Sequence, residues 1–307
     1  MALAIATNNS ALQAAAAAIS VNRSMETSME RLSTGKRINS ASDDAAGVSI
    51  ASRLSSEIRG VNQSIRNALD GQALLDTAEG AHKEIENVLQ RMREIAVQAG
   101  NDTNNTQDRK NLQAEMDAMV TEIDRISHAT SWAGSLLLNG DAAGAVDKSA
   151  TFSLQVGSAT GTDNQISVSI GSMTAETLNL TEATTNDSLV LVVADGDITA
   201  DDHTVNGGTT TATGNALEAI TLIDTAIKTV NTQRSTLGAT TNRLNHTVNN
   251  LTNISSNLSS AQGRILDADF ALETTELAKN QILQKVSTAM LAQANASKQN
   301  VMGLLQS

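Results

Sequence analysis

The chain has 307 residues, a net charge of −12 and 40% hydrophobic residues, yet one Trp, two Phe and no Tyr, Pro or Cys. Without cysteine, disulfides and thiolate metal sites are excluded. So few aromatics argue against one thick globular core and for narrow helix–helix contacts built from Ala, Leu, Ile, Val and Met. Ten acidic residues and no Lys or Arg lie between Lys148 and Lys228, which makes nucleic acid an improbable partner and leaves the flanks close to neutral.

The N-terminus shows no basic stretch followed by an apolar run and a cleavage site, and Ala14–Ala18 is too short to span a bilayer. A first helix is expected from about Leu3 to Thr34, with Ala18, Val21, Met25, Met29 and Leu32 on one stripe. Gly35 reads as its C-terminal cap, and Asn39, Ser40, Ser42, Asp43 and Asp44 supply acceptors for the next helix start. Ile50, Leu54, Ile58, Val61, Ile65 and Leu69 lead into a seam at Ile85, Val88, Met92, Ile95 and Ala99. One helix over 45–99 would be roughly 80 Å long at about 1.5 Å per residue. Gly60, Gly71 and Gly80 would cost it ~1 kcal/mol each relative to Ala, which packing must outweigh. After Gly100, residues Leu112, Met116, Met119, Ile123 and Ile126 form a shorter return helix.

From Trp132 the period changes. Phe152, Leu154 and Val156 alternate with polar residues, as do Ile166, Val168 and Ile170, predicting a β-hairpin. Leu189–Val193 is a further candidate strand, and 194–213 reads as an exposed loop. Leu217, Ile220, Ile223, Ile227 and Val230 resume helical spacing and run into Leu237, Leu244, Leu251, Leu258 and Ile265, seven apart. Such a heptad row must be covered by another helix. Leu277, Leu283, Val286, Met290 and Leu304 mark a terminal amphipathic helix. The expected fold is mainly α: a long antiparallel coiled-coil rod formed by both chain ends, with a small β-hairpin region in the middle.

Chemistry-bearing motifs are weak. Ser33–Lys36 fits S-x-x-K, but no partner motif accompanies it and a helix cap explains it better. Lys36 has no phosphate-loop glycine upstream. His82, His128, His203 and His246 are scattered; His82 and Glu86 could share a metal, but an exposed helix pair is the simpler reading. Asp195, Asp197, Asp201 and Asp202 lack EF-hand spacing. No catalytic constellation, metal site or cofactor is expected.

The segment from Arg31 to Leu54, RLSTGKRINSASDDAAGVSIASRL, closely resembles bacterial flagellin. Leu89–Ala99 (LQRMREIAVQA), Ser135–Gly140 (SLLLNG) and Gln281–Leu305 (QILQKVSTAMLAQANASKQNVMGLL) are similar to further stretches of that family. The chain departs from it at Lys298, where Pro is frequent, and at Trp132-Ala133-Gly134, where an aromatic-Asn-Gly is frequent.

The resemblance implies a subunit exported unfolded through the flagellar channel and polymerised into a helical filament. It further implies an inner terminal domain of 1–44 with 263–307, a second layer of 45–180 with 214–262, and a short variable segment at 181–213. Subunit packing would then involve Val21, Met25, Leu32, Leu283, Val286, Met290 and Leu304. The seam inside the second layer would comprise Ile85, Val88, Met92, Ile95, Leu237, Leu244, Leu251 and Leu258. Implied partners are other copies of the chain, the flagellar cap and hook-junction proteins, and an export chaperone at the C-terminal helix. Arg91, Ile95 and Glu115 match positions by which the flagellin-sensing Toll-like receptor recognises some members. A hook–filament junction protein of the same family is the alternative. A secreted coiled-coil effector or adhesin, and an enzyme housed in the middle, are more distant ones.

Overall fold

The structure, a computed structural model, describes residues 8–101, 103–140, 149–181, 204–205, 208–209 and 212–305. The elements in chain order are α1 (Asn9–Thr34), α2 (Ala45–Ala99), α3 (Thr106–Ala129), β1 (Ser131–Trp132), β2 (Ser135–Leu136), β3 (Ser149–Gln155), β4 (Gln165–Gly171), β5 (Thr204–Val205), β6 (Gly208–Thr209), α4 (Ala212–Leu266) and α5 (Phe270–Leu305). The fold is mainly α with a small antiparallel β region. Two compact units divide it, Met1–Arg59 with Ile254–Ser307, and Gly60–Asn253. The division falls inside α2 and α4 rather than at the start of α2 near Ala45 or the end of α4 near Leu266.

In the second unit the heptad row does what its period requires. Leu237 and Leu244 are fully covered and Leu251 nearly so. Leu237 and Leu244 pack with Leu75, Ile85, Leu89, Met92 and Ile95 of α2 in one continuous core, to which α3 adds Met116, Val120 and Ile123. Along α2 the covered row is Leu89 rather than Val88, which is half-buried. The helices run antiparallel: Gln72 donates to Asn245 at 2.9 Å, and Arg93 pairs with Asp224 at 2.6 Å. An Asn105–Asp108 capping box starts α3 by satisfying two orphan backbone donors reciprocally.

The hairpin β3–β4 pairs Phe152 with Val168 and Leu154 with Ile166, so that Ile166, Val168 and Ile170 face the core. Two of the helix glycines have a use here. A side chain at Gly60 would run into Ser158, and one at Gly71 would overlap Leu154. The missing Cβ atoms let the hairpin lie directly on α2. Asn67 donates to the Gln155 carbonyl (3.0 Å), and Gln233 of α4 donates to the Ser169 carbonyl (2.9 Å). The hairpin therefore touches both long helices.

Some expectations need correction. The candidate strand Leu189–Val193 and the start of the first helix at Leu3 lie outside the described residues. The supposed loop 194–213 contains the β5–β6 pair and the first residues of α4. Asn206-Gly207, a strong signal for a two-residue hairpin turn, stands between those strands. The β1–β2 pair was also not foreseen. Its two connecting residues, Ala133 and Gly134, both have positive φ (49° and 85°).

A left-handed backbone costs most L-residues about 1–2 kcal/mol, and Asn tolerates it best. Replacing Ala133→Asn should therefore stabilise the monomer by ~0.5–1 kcal/mol. The denaturant midpoint of the depolymerised chain measures it; a lowered midpoint would show that the turn is not strained.

Candidate assembly surface

In the first unit α1 and α5 lie antiparallel along each other. Asn8 Nδ2 donates to the Ala294 carbonyl (3.1 Å), Gln284 donates to Asn22 (2.9 Å), and Arg31 pairs with Glu273 (3.0 Å). Asn8 also caps α1 through the Ala11 amide, and Gly35 ends it in the left-handed conformation (φ 69°). Next to that cap, the Arg37 amide donates to the Leu266 carbonyl and the Ala268 amide to the Gly35 carbonyl. These bonds hold the two chain segments together where α4 gives way to α5. Asp43 then accepts from the Asn39 and Ser40 amides, which holds its carboxyl below the ordinary carboxylate value, and Asp44 accepts from Gly47 at the start of α2.

The surface between α1 and α5 mixes polar and small residues with half-buried aliphatics. On α5 its residues are Glu273, Leu277, Asn280, Gln284, Ser287, Leu291 and Ala294, alternately four and three apart. Glu273, Asn280 and Ser287 are the most deeply covered. On α1 the covered residues are Ala14 and Ser28, with Val21, Met25 and Leu32 half-buried on the same face.

Apart from Leu277 and Leu291, most large apolar side chains of α5 point elsewhere. Ile282, Val286 and Met290 are 63%, 48% and 60% exposed. With Leu272 and Leu283 they share one stripe about 100° wide at 100° per residue. Leu12 and Ile19 are likewise exposed on the α1 face turned away from its covered row. An amphipathic helix normally turns such a stripe inward; here the stripe is left open, a surface suited to another protein chain.

The residues expected to pack between subunits thus separate into groups. Leu283, Val286 and Met290 are open, whereas Val21, Met25 and Leu32 are partly covered by the chain's own α5, so the α1 stripe is in part an intrachain contact. The Leu304 side chain lies outside the described residues. Sequence reading missed Leu12, Ile19, Leu272 and Ile282, because apolar periodicity alone does not reveal that a polar row takes the inward face.

Of the receptor-related positions, Arg91 and Glu115 are exposed and paired at 2.8 Å between α2 and α3. Ile95, by contrast, is fully buried on the α2 core row rather than exposed beside them.

His82 is corrected as well. Expected on an exposed helix pair with Glu86, it is completely buried, because it occupies the heptad position of Leu75, Leu89 and Ala96. Its Nδ1 meets the Ala78 carbonyl at 2.6 Å. Arg234 of α4 lies near it and pairs with both Glu79 and Glu86. Among the described residues no group of three or more His, Asp or Glu could hold a metal ion. The acidic residues at 195–202 lie outside them.

Comparison with known proteins decides the family. Residues 5–143 match the bacterial flagellin N-terminal helical region, and residues 220–305 the C-terminal helical region. The flagellin of Bacillus subtilis (strain 168) is 41% identical over 294 residues, covering 93% of this chain and 94% of that protein. The chain belongs to the bacterial flagellins. Flagellin B of Vibrio anguillarum is 35% identical over 375 residues, covering 99% of the chain and all of that protein. A solved structure assigned as a flagellar hook-associated protein from Vibrio parahaemolyticus has a TM-score of 0.57 at 17% identity, covering 73% of this chain and 100% of that one, which shows a common fold only. This flagellin is a structural subunit of the extracellular flagellar filament and not an enzyme. Among the described residues no helix is long and apolar enough to cross a membrane.

Burial pushes the His82 imidazole below its ordinary value of 6.5, and the nearby Arg234 adds to the shift against the opposing Ala78 carbonyl and Glu79. The folded chain then binds fewer protons at His82 than the unfolded one, so stability present above 6.5 is lost as pH falls through the folded value. Melting of the monomer followed from pH 7.5 to 5 should show this loss, and His82→Gln should flatten it; equal slopes in both chains would remove the assignment.

Proposed function

We propose that this flagellin is exported unfolded and completes its folding on assembly, when neighbouring copies cover the open faces of α1 and α5. The observation that carries this reading is the inversion of α5: Glu273, Asn280 and Ser287 are covered while Ile282, Val286 and Met290 are open. Covering Leu272, Ile282, Leu283, Val286 and Met290 would contribute roughly 4–8 kcal/mol per subunit, at ~1.5–3 kcal/mol per fully covered side chain and about half exposure each. On this reading 1–44 with 263–307 form the inner layer, 45–180 with 214–262 the second, and 181–213 the outer segment. The same α5 stripe suits an export chaperone before assembly, and the filament ends suit the cap and hook-junction proteins. Recognition by the flagellin-sensing Toll-like receptor would rest on Arg91 and Glu115, without direct contact from Ile95. A hook–filament junction role is the second reading; the shared fold permits it, and the full-length flagellin relatives weigh against it.

Seeded growth tests the assembly reading. Ile282→Ser/Val286→Ser/Met290→Ser should stop elongation on filament seeds while the monomer keeps the helical circular dichroism of the second unit. Normal elongation by this variant would refute the role of the α5 stripe. Failure of the unaltered chain to elongate would favour the junction reading.

A further inference from the structure

Within the second unit the α2–α4 seam is close to self-similar. On α4 the covered residues Ala216, Ile223, Val230, Leu237, Leu244 and Leu251 recur every seven residues. On α2 the facing row is Val61, Ala68, Leu75, His82, Leu89 and Ala96, all buried and also seven apart. A row of this kind packs nearly as well after one helix slides a heptad past the other, because each aliphatic residue meets another aliphatic residue. The apolar contacts therefore do not choose the register by themselves.

One position of the α2 row is not aliphatic. His82 is fully buried, and its Nε2 has no hydrogen-bond partner among the described residues. Glu79 and Glu86 flank it on the same helix, and Arg234 reaches across from α4 to both. We infer that His82, Glu79, Glu86 and Arg234 form a register lock that selects one of several heptad-related alignments of α2 and α4.

The surrounding pairs show why a slide would be penalised. Moving Arg234 seven residues toward the C-terminus of α2 would set it against Glu86 and Arg93, placing two guanidinium groups together. Moving it the other way would leave it Gln72 and Glu79, and would bring Asp224, now paired with Arg93, beside Glu86. Either slide also separates Gln72 from Asn245. A buried polar group at one heptad position is a known way to fix register, and a two-carboxylate fork suits Arg better than any other side chain. The lock concerns the second unit alone and does not depend on how α1 and α5 assemble.

Because the chain has no cysteine, disulfide trapping reads the register directly. Gln72→Cys with Asn245→Cys reports the observed alignment; Gln72→Cys with Gly238→Cys or Thr252→Cys reports the two alignments one heptad away. With the lock intact, only the first pair should cross-link under mild oxidation. With His82→Leu/Arg234→Leu, a shifted pair should cross-link at least about tenfold faster than with the lock intact. Glu79→Gln/Glu86→Gln, which keeps every side-chain shape, provides the same reading if the leucine chain does not fold, with circular dichroism as the check. Shifted pairs that stay silent in folded lock-free chains, while Gln72→Cys/Asn245→Cys still links, would overturn the inference and assign the register to the hairpin that touches both helices.

Discussion

The contact between α1 and α5 governs how the rest of this flagellin can behave. Two helices that meet through Glu273, Asn280, Gln284 and Ser287 with half-buried Leu277 and Leu291 on one side, and through Ala14, Ser28 and half-buried aliphatics on the other, cover few large apolar side chains completely in their own pairing. Helices in water are held chiefly by packing of an apolar face. Here that face is turned outward at Ile282, Val286 and Met290, so the pair has the address of a partner but not the energy of a finished core. The Arg31–Glu273 pair and the backbone bonds around Gly35 and Ala268 fix which helix meets which. The remaining stabilisation is left to surfaces that a single chain does not possess.

The second unit is built on the opposite plan. Its long helices, α3 and the hairpin enclose one another, and Leu237 and Leu244 of α4 are covered within the chain. The division of labour follows from where polar residues are spent. In the first unit polar residues take the most deeply covered positions of α5 and leave much of its aliphatic surface outside. In the second the aliphatics occupy the contact, and the principal polar interruption is the His82–Arg234 cluster.

Much of this was legible in residue spacing. The long helix at 45–99, the return helix and the hairpin follow directly from runs of period 3.6 and 2, because one-sided burial imposes those periods. Gly60 and Gly71 could be counted from sequence only as a cost, since their use depends on Ser158 and Leu154 arriving from far along the chain. The β1–β2 and β5–β6 pairs were too short for any period. The α5 surface was half legible: Leu283, Val286 and Met290 announce an amphipathic helix, but amphipathicity does not say whether the apolar side faces inward. Likewise His82 looked like a surface residue because its pairing with Glu86 was read along one helix, without the α4 row that buries it.

The central claim is that α1 and α5 gain their stability from neighbouring copies. Amide hydrogen exchange, compared between dilute monomer and assembled filament, tests it most directly. Amides of α1 and α5 should exchange rapidly in the monomer and become strongly protected in the filament, while those of α2 and α4 within 60–253 are protected in both. Equal, strong protection of α1 and α5 before and after assembly would contradict the account.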